Sequence, residues 1–149
     1  MTIADTGLAL TLERDYRIAP ERMWELWTTA EHLAAWLKPT LDRHKPSTCE
    51  ADARVGGTYR LTIPGVTADE PDMTAYGTYL ELDPPRTLRF TWGWEDMAPD
   101  TTEVIIEIAP TDEGCHLTLT HVRLWDEDQR ARHGEGWTGT LESLATLYG

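Results

Sequence analysis

The chain has 149 residues, the size of one domain around one core, and 40% of them are hydrophobic, enough to fold as a globule. Thirteen Lys and Arg against 26 Asp and Glu give a formal charge of −13, which repels phosphate backbones and anionic bilayers and argues against nucleic acid or membrane as a partner. The opening MTIADTGLAL has no basic n-region and no apolar h-region, and no run approaches the ~20 apolar residues of a membrane span, so a cytoplasmic protein is expected. Without a signal peptide, Cys49 and Cys115 read as free thiols rather than a disulfide.

Residues 1–7 read as a flexible terminus and 8–149 as a single domain. Leu8 to Ile18 alternates, with Leu8, Leu10, Leu12, Arg14, Tyr16 and Ile18 sharing one face of a half-buried strand. Ala19-Pro20-Glu21 opens a helix, because Pro at the first helical position loses no hydrogen bond and Glu21 suits the positive end of the dipole. Met23, Trp24 and Trp27 face inward from it at helical spacing. A second short helix, Glu31 to Leu37, carries Leu33 and Trp36 and stops before Pro39, and residues 38–47 show no periodicity and read as a loop.

Strands then follow one another. Thr48 to Arg54 is one, and Gly56-Gly57 turns the chain into Thr58 to Pro64, with Tyr59, Leu61 and Ile63 on one face. An acidic, turn-rich loop leads to the strand Met73 to Leu82, and Asp83-Pro84-Pro85-Arg86 is a tight turn. Leu88, Phe90, Trp92 and Trp94 form the clearest alternating stripe; Thr102, Val104, Ile106 and Ile108 form the next. After the turn Thr111 to Gly114, Cys115, Leu117, Leu119 and His121 line one face of the last strand. Asp126 to Gln129 is a capping box for a helix reaching Tyr148, with Trp137, Leu141, Leu144 and Tyr148 in one stripe. Gly134, Gly136 and Gly139 each cost that helix roughly 1 kcal/mol against Ala. Either the helix breaks near Gly134, or it packs closely on the sheet, or it leaves room for a ligand. The order β-α-α-β6-α, with short turns between strands, specifies an α+β fold: a seven-stranded curved antiparallel sheet wrapped on a long C-terminal helix.

Seven Trp and five Tyr against one Phe are an unusual balance, favoured where apolar surface meets a ligand. The stripe Phe90, Trp92, Trp94 faces Trp137 if the helix covers the inner face, with Trp24, Trp27 and Trp36 closing one end and loops 64–72 and 95–101 as gates. With the inner-face residues Tyr59, Leu61, Tyr79, Leu119, His121 and Leu141, these aromatics are the expected lining of a pocket for a small hydrophobic or aromatic molecule. The plainer reading is a packed core. His121 projects into that pocket as a hydrogen-bonding or proton-shuttling group, or else is a buried imidazole held by a backbone carbonyl or by Tyr59. Arg14 is a rim or structural ion pair with Glu103 or Glu81, or an anchor for a carboxylate ligand. The five histidines form no H-x-x-H or H-E-x-x-H spacing and there is no C-x-x-C, so no metal is expected, and no cofactor motif such as a P-loop or G-x-G-x-x-G occurs.

The ordered set Ala19-Pro20-Glu21-Arg22-Met23-Trp24, Trp36, Gly56-Gly57-Thr58-Tyr59, Gly77 through Arg86, Leu88 to Trp92, Leu117-Thr118-Leu119-Thr120-His121 and Gly136-Trp137 with Leu141 and Leu144 resembles the activator-of-heat-shock-protein-ATPase homologue family. That family sits in the START-like, birch-pollen-allergen-like (SRPBCC) superfamily. The resemblance runs from Leu8 to Tyr148 and implies the helix-grip fold with a cavity between sheet and helix. It does not by itself imply a function, because the superfamily serves many, and three functional classes compete. The first is a non-catalytic binding domain for a small hydrophobic molecule. The second is a cyclase-, aromatase- or hydrolase-type enzyme, for which His121, Arg14 and Tyr59 are the only available trio. The third is a co-chaperone-like domain acting on a chaperone partner; the eukaryotic co-chaperone carries an additional N-terminal domain for which this chain has no room. The open-edged sheet also offers a surface for a homodimer.

Overall fold

A computed structural model describes residues 8–95 and 102–149. The flexible terminus expected at 1–7, and all of the expected gate 95–101 except Glu95, lie outside the described residues. The elements follow the expected order: β1 (Leu8–Tyr16), α1 (Pro20–Thr28), α2 (Ala30–Trp36), β2 (Thr48–Ala51), β3 (Thr58–Ile63), β4 (Met73–Asp83), β5 (Thr87–Trp94), β6 (Thr102–Pro110), β7 (Cys115–Leu124) and α3 (Glu127–Tyr148). The seven strands make one antiparallel sheet in the order β1-β7-β6-β5-β4-β3-β2. The α+β helix-grip architecture read from the sequence is therefore the one observed. The strand expected to reach Arg54 ends at Ala51, because Asp52 and Arg54 leave the ladder for a turn: Gly57 N–H donates to the Arg54 carbonyl, and Gly56 takes a φ of 85°, open to glycine at no steric cost.

Alternation decides the sheet's faces. Leu88, Phe90 and Trp92, then Val104, Ile106 and Ile108, then Cys115, Leu117, Leu119 and His121 are all buried under α3 and the short helices. The outer face carries ion pairs, among them Arg89 with Glu81 and Glu103, and Arg60 with Glu95. Cys49 and Cys115 are free thiols, one on the edge strand β2 and the other on β7, second from the opposite edge of the sheet. Among the described residues no helix is long and apolar enough to cross a membrane.

The helix α3 runs unbroken through its three glycines. Asp126 caps it, its Oδ1 accepting the Gln129 N–H at 2.8 Å. Trp137, Leu141 and Leu144 are buried as the stripe requires, and the Tyr16 hydroxyl donates to the Leu141 carbonyl at 2.9 Å, pinning the helix to β1. The glycines have different reasons. A Cβ at Gly139 would stand 2.3 Å from the Pro39 carbonyl oxygen, so glycine is what lets the loop after α2 lie against α3. At Gly134 the nearest atom would be 3.9 Å away, an ordinary contact. Two single substitutions separate these cases in urea unfolding. Gly134→Ala is expected to raise stability by about 1 kcal/mol through helix propensity. Gly139→Ala is expected to lower it by about 1–3 kcal/mol through overpacking; equal gains at both positions would mean that the loop does not press on the helix.

Candidate functional site

The middle of the sheet–helix gap is filled by aromatic rings. Tyr59 lies 5.6 Å from Tyr79, 5.5 Å from Phe90 and 6.2 Å from Trp92, centroid to centroid. With Trp27 and Leu61 these residues border a void of only about 20 Å³, room for about one water molecule. To one side lies an apolar cleft of about 300 Å³, between the first half of α3, the loop after α2 and the ends of β3, β4 and β5. Of the expected lining, Trp92, Trp94 and Trp137 border this cleft, and Trp92 borders both spaces. Trp24, Trp36, Leu119, His121 and Leu141 border neither. Trp36 is fully buried, with its indole N–H on the Leu26 carbonyl at 2.7 Å. Instead of one hollow beneath the whole helix, the fold has a packed centre and a lateral cleft.

The cleft's remaining walls come from residues that alternation could not single out. Leu37, Lys38, Pro39 and Arg43 belong to the loop after α2, and Ile63 and Met73 are a cross-strand pair at the ends of β3 and β4. Gln129, Arg132, His133, Gly136 and Thr140 come from α3. The usable signal was Gly136: a Cβ there would meet nothing within 4 Å, and His133 and Thr140 stand three and four residues to either side, on the same helix face. The Arg43 guanidinium donates to the Thr40 carbonyl at 3.2 Å and the Pro64 carbonyl at 3.1 Å, and the His44 N–H donates to the Gly65 carbonyl, so the loop after α2 is tied to the loop between β3 and β4.

The two buried histidines are both fixed as neutral rings. Trp137 donates its indole N–H to His121 Nδ1 at 3.0 Å; His121 Nε2–H then donates to the Thr102 hydroxyl, which donates on to the Trp92 carbonyl at 3.0 Å. His121 has no exposure, and burial, with a smaller contribution from His133, lowers its pKa from 6.5 to about 3. His133 Nδ1–H donates to the Gln129 carbonyl at 2.8 Å, its Nε2 accepts from Trp94 at 3.2 Å, and burial lowers its pKa. Neither imidazole has a lone pair to offer a substrate.

The other two members of the sequence-derived trio are also engaged. The Tyr59 hydroxyl donates to the Thr91 carbonyl, and burial raises its pKa well above the usual phenol value. Arg14 pairs with Glu142 of α3 at 2.7 Å, not with Glu81 or Glu103, which hold Arg89 on the outer face of the sheet. None of the three borders the cleft. Among the described residues no three His, Cys, Asp or Glu side chains gather to hold a metal ion.

Because the folded state keeps His121 and His133 neutral and the unfolded state does not, unfolding takes up protons below pH ~6.5. Their contribution to stability is complete above that pH and is lost as pH falls toward their depressed folded values. His116 acts in the opposite sense: hydrogen bonds to Asp15 and Glu13 raise its pKa, and what it contributes is present at low pH and lost as pH rises through its folded value. Denaturant unfolding is expected to show stability falling from pH 6.5 to 5, by up to about 1.4 kcal/mol per pH unit per proton. NMR over the same range should find the His121 ring untitrated; a midpoint near 6 would mean that its ring is open to solvent.

Known structures share the whole architecture. A protein from Chromobacterium violaceum is 29% identical, with 93% of this chain and 95% of that one covered at a TM-score of 0.81. The AHSA1 protein from Silicibacter pomeroyi is 26% identical over 94% and 96% of the two chains, at 0.77. An HSP90 activator from Plasmodium falciparum, 21% identical over 95% and 96% at 0.72, shares the fold. No curated protein matches the chain. The family described as Activator of Hsp90 ATPase homolog 1-like protein matches residues 17–149, and the chain belongs to that family.

Proposed function

We propose that this protein is a non-catalytic binding domain for a small hydrophobic or aromatic molecule, held in the lateral cleft. The observation that carries this reading is the cleft itself: about 300 Å³, walled by Trp92, Trp94 and Trp137, beside a helix residue whose missing side chain keeps it open. That volume falls at the lower end of small-molecule pockets, ~300–1,000 Å³. A glycine that costs a helix about 1 kcal/mol and touches nothing is best explained by the space it leaves. The engagement of both buried imidazoles, and the placement of Arg14 and Tyr59 away from the cleft, weigh against an acid–base enzyme there.

Action on a heat-shock-protein ATPase, through a protein partner, is a second reading that rests on the family's description. Of the exposed large apolar residues, only Met73 and Leu80 share an element, seven positions apart on β4, while Val55, Val66, Trp125 and Leu147 lie on different segments, a scatter that favours the small-molecule reading.

Gly136→Leu tests the proposal, because it fills the cleft without pushing on the backbone. Two-ring aromatic compounds titrated against tryptophan fluorescence are expected to quench the native protein saturably. In the variant, affinity should fall at least about tenfold while the thermal midpoint holds or rises, since Leu is the better helix former. Undiminished binding to Gly136→Leu, or no binding to either protein, would remove the cleft as the site.

A further inference from the structure

In a chain where acids outnumber bases two to one, nearly every cation finds a carboxylate. The arginines at 14, 17, 22, 54, 60, 86, 89, 130 and 132, and Lys45, all have one within 4.0 Å. Among the described residues Lys38, Arg43 and Arg123 have none, and two of these three border the cleft. Lys38 is also the only Lys, Arg, Asp or Glu that is buried among the described residues, at 6% exposure. Its stem is packed away while its ammonium, at the cleft, has no carboxylate within 4.0 Å among the described residues, a position that suits an anionic ligand. Its backbone carbonyl accepts the Ser143 hydroxyl at 3.0 Å, so the loop holds it in place whatever its side chain does.

Three further observations point the same way. Burial, and secondarily the neighbouring Arg43, push the Lys38 pKa below its ordinary value, so two like charges are held near each other with no carboxylate paired to either among the described residues. The guanidinium of Arg43 is oriented by two carbonyls, the arrangement that pre-sets a fork for an oxyanion. The indole N–H of Trp92 is buried with no acceptor among the described residues, a donor that an oxygen-bearing guest would satisfy.

We infer that the guest is an amphipathic carboxylate, its ring body against Trp92, Trp94 and Trp137 and its carboxylate head between Lys38 and Arg43. This rests on the cleft being a ligand site and adds the chemistry of the head group. Arg132, the third cation on the rim, is already satisfied by Asp128 at 2.9 Å and takes no part.

The test is calorimetric titration of the full chain near neutral pH with 2-naphthoate and, as a neutral twin of the same ring body, methyl 2-naphthoate. The acid is expected to bind at least about tenfold tighter than the ester. Lys38→Met should lower the acid's affinity about tenfold or more, leave the ester's within about threefold, and hold or raise the thermal midpoint, since an apolar side chain takes the place of the packed lysine stem. Arg43→Gln should act in the same selective way, and Arg123→Gln should change neither affinity. If the ester binds as well as the acid, or if Lys38→Met weakens both alike, the head-group assignment is wrong while the cleft stands as an apolar site. If neither compound binds, the assignment falls together with the ligand-site reading.

Discussion

Trp137 donates its indole N–H to the imidazole of His121, and the placement of α3 follows from that bond. The acceptor nitrogen is available only because the other ring nitrogen gives its proton to Thr102, whose own hydroxyl is committed to the Trp92 carbonyl. One chain of donors and acceptors thus runs from helix to β7, across to β6 and on to β5, through side chains closed off from bulk solvent. Trp137 is also within ring contact of Trp92 at 4.9 Å and Trp27 at 6.4 Å, so the residue that is oriented by hydrogen bonding carries the aromatic packing as well. The helix can neither roll nor slide without breaking that chain, and the width of the cleft beside it is set accordingly.

Much of this architecture was legible because it depends on period. The stripes at Leu88–Trp94, Thr102–Ile108 and Cys115–His121 identify both the strands and their buried faces, and the Asp126 cap marks the start of α3 to the residue. The site was legible only where it coincides with those stripes, at Trp92, Trp94 and Trp137. Facing inward does not distinguish a residue that meets a hollow from one that meets another ring, and Tyr59, Tyr79 and Phe90 meet each other. Lys38 and Arg43 sit in a segment without periodicity, so no pattern could say that the chain folds them back over the mouth of the cleft. Arg14 was placed on the right face of its strand, but its partner was sought on the sheet when α3 passes closer.

Charge is distributed with the same division of labour. The outer face of the sheet carries its cations in pairs and networks, Arg89 between Glu81 and Glu103 being the fullest. Such exposed pairs contribute little to stability individually. Their effect is to consume the available bases, which makes the two cations at the cleft, without a carboxylate partner among the described residues, stand out in a chain of net negative charge.

The separation between packed centre and lateral cleft has an evolutionary corollary. Met73, Gln129 and Arg132 border the cleft from outside the core, and Trp94 is only partly buried. Exchanges at these four positions would alter the shape and polarity presented to a guest while leaving the ring cluster around Tyr59 and the donor chain through His121 intact. A scaffold partitioned in this way can drift from one guest to another without passing through an unstable intermediate, which is how a single architecture comes to serve many unrelated chemistries.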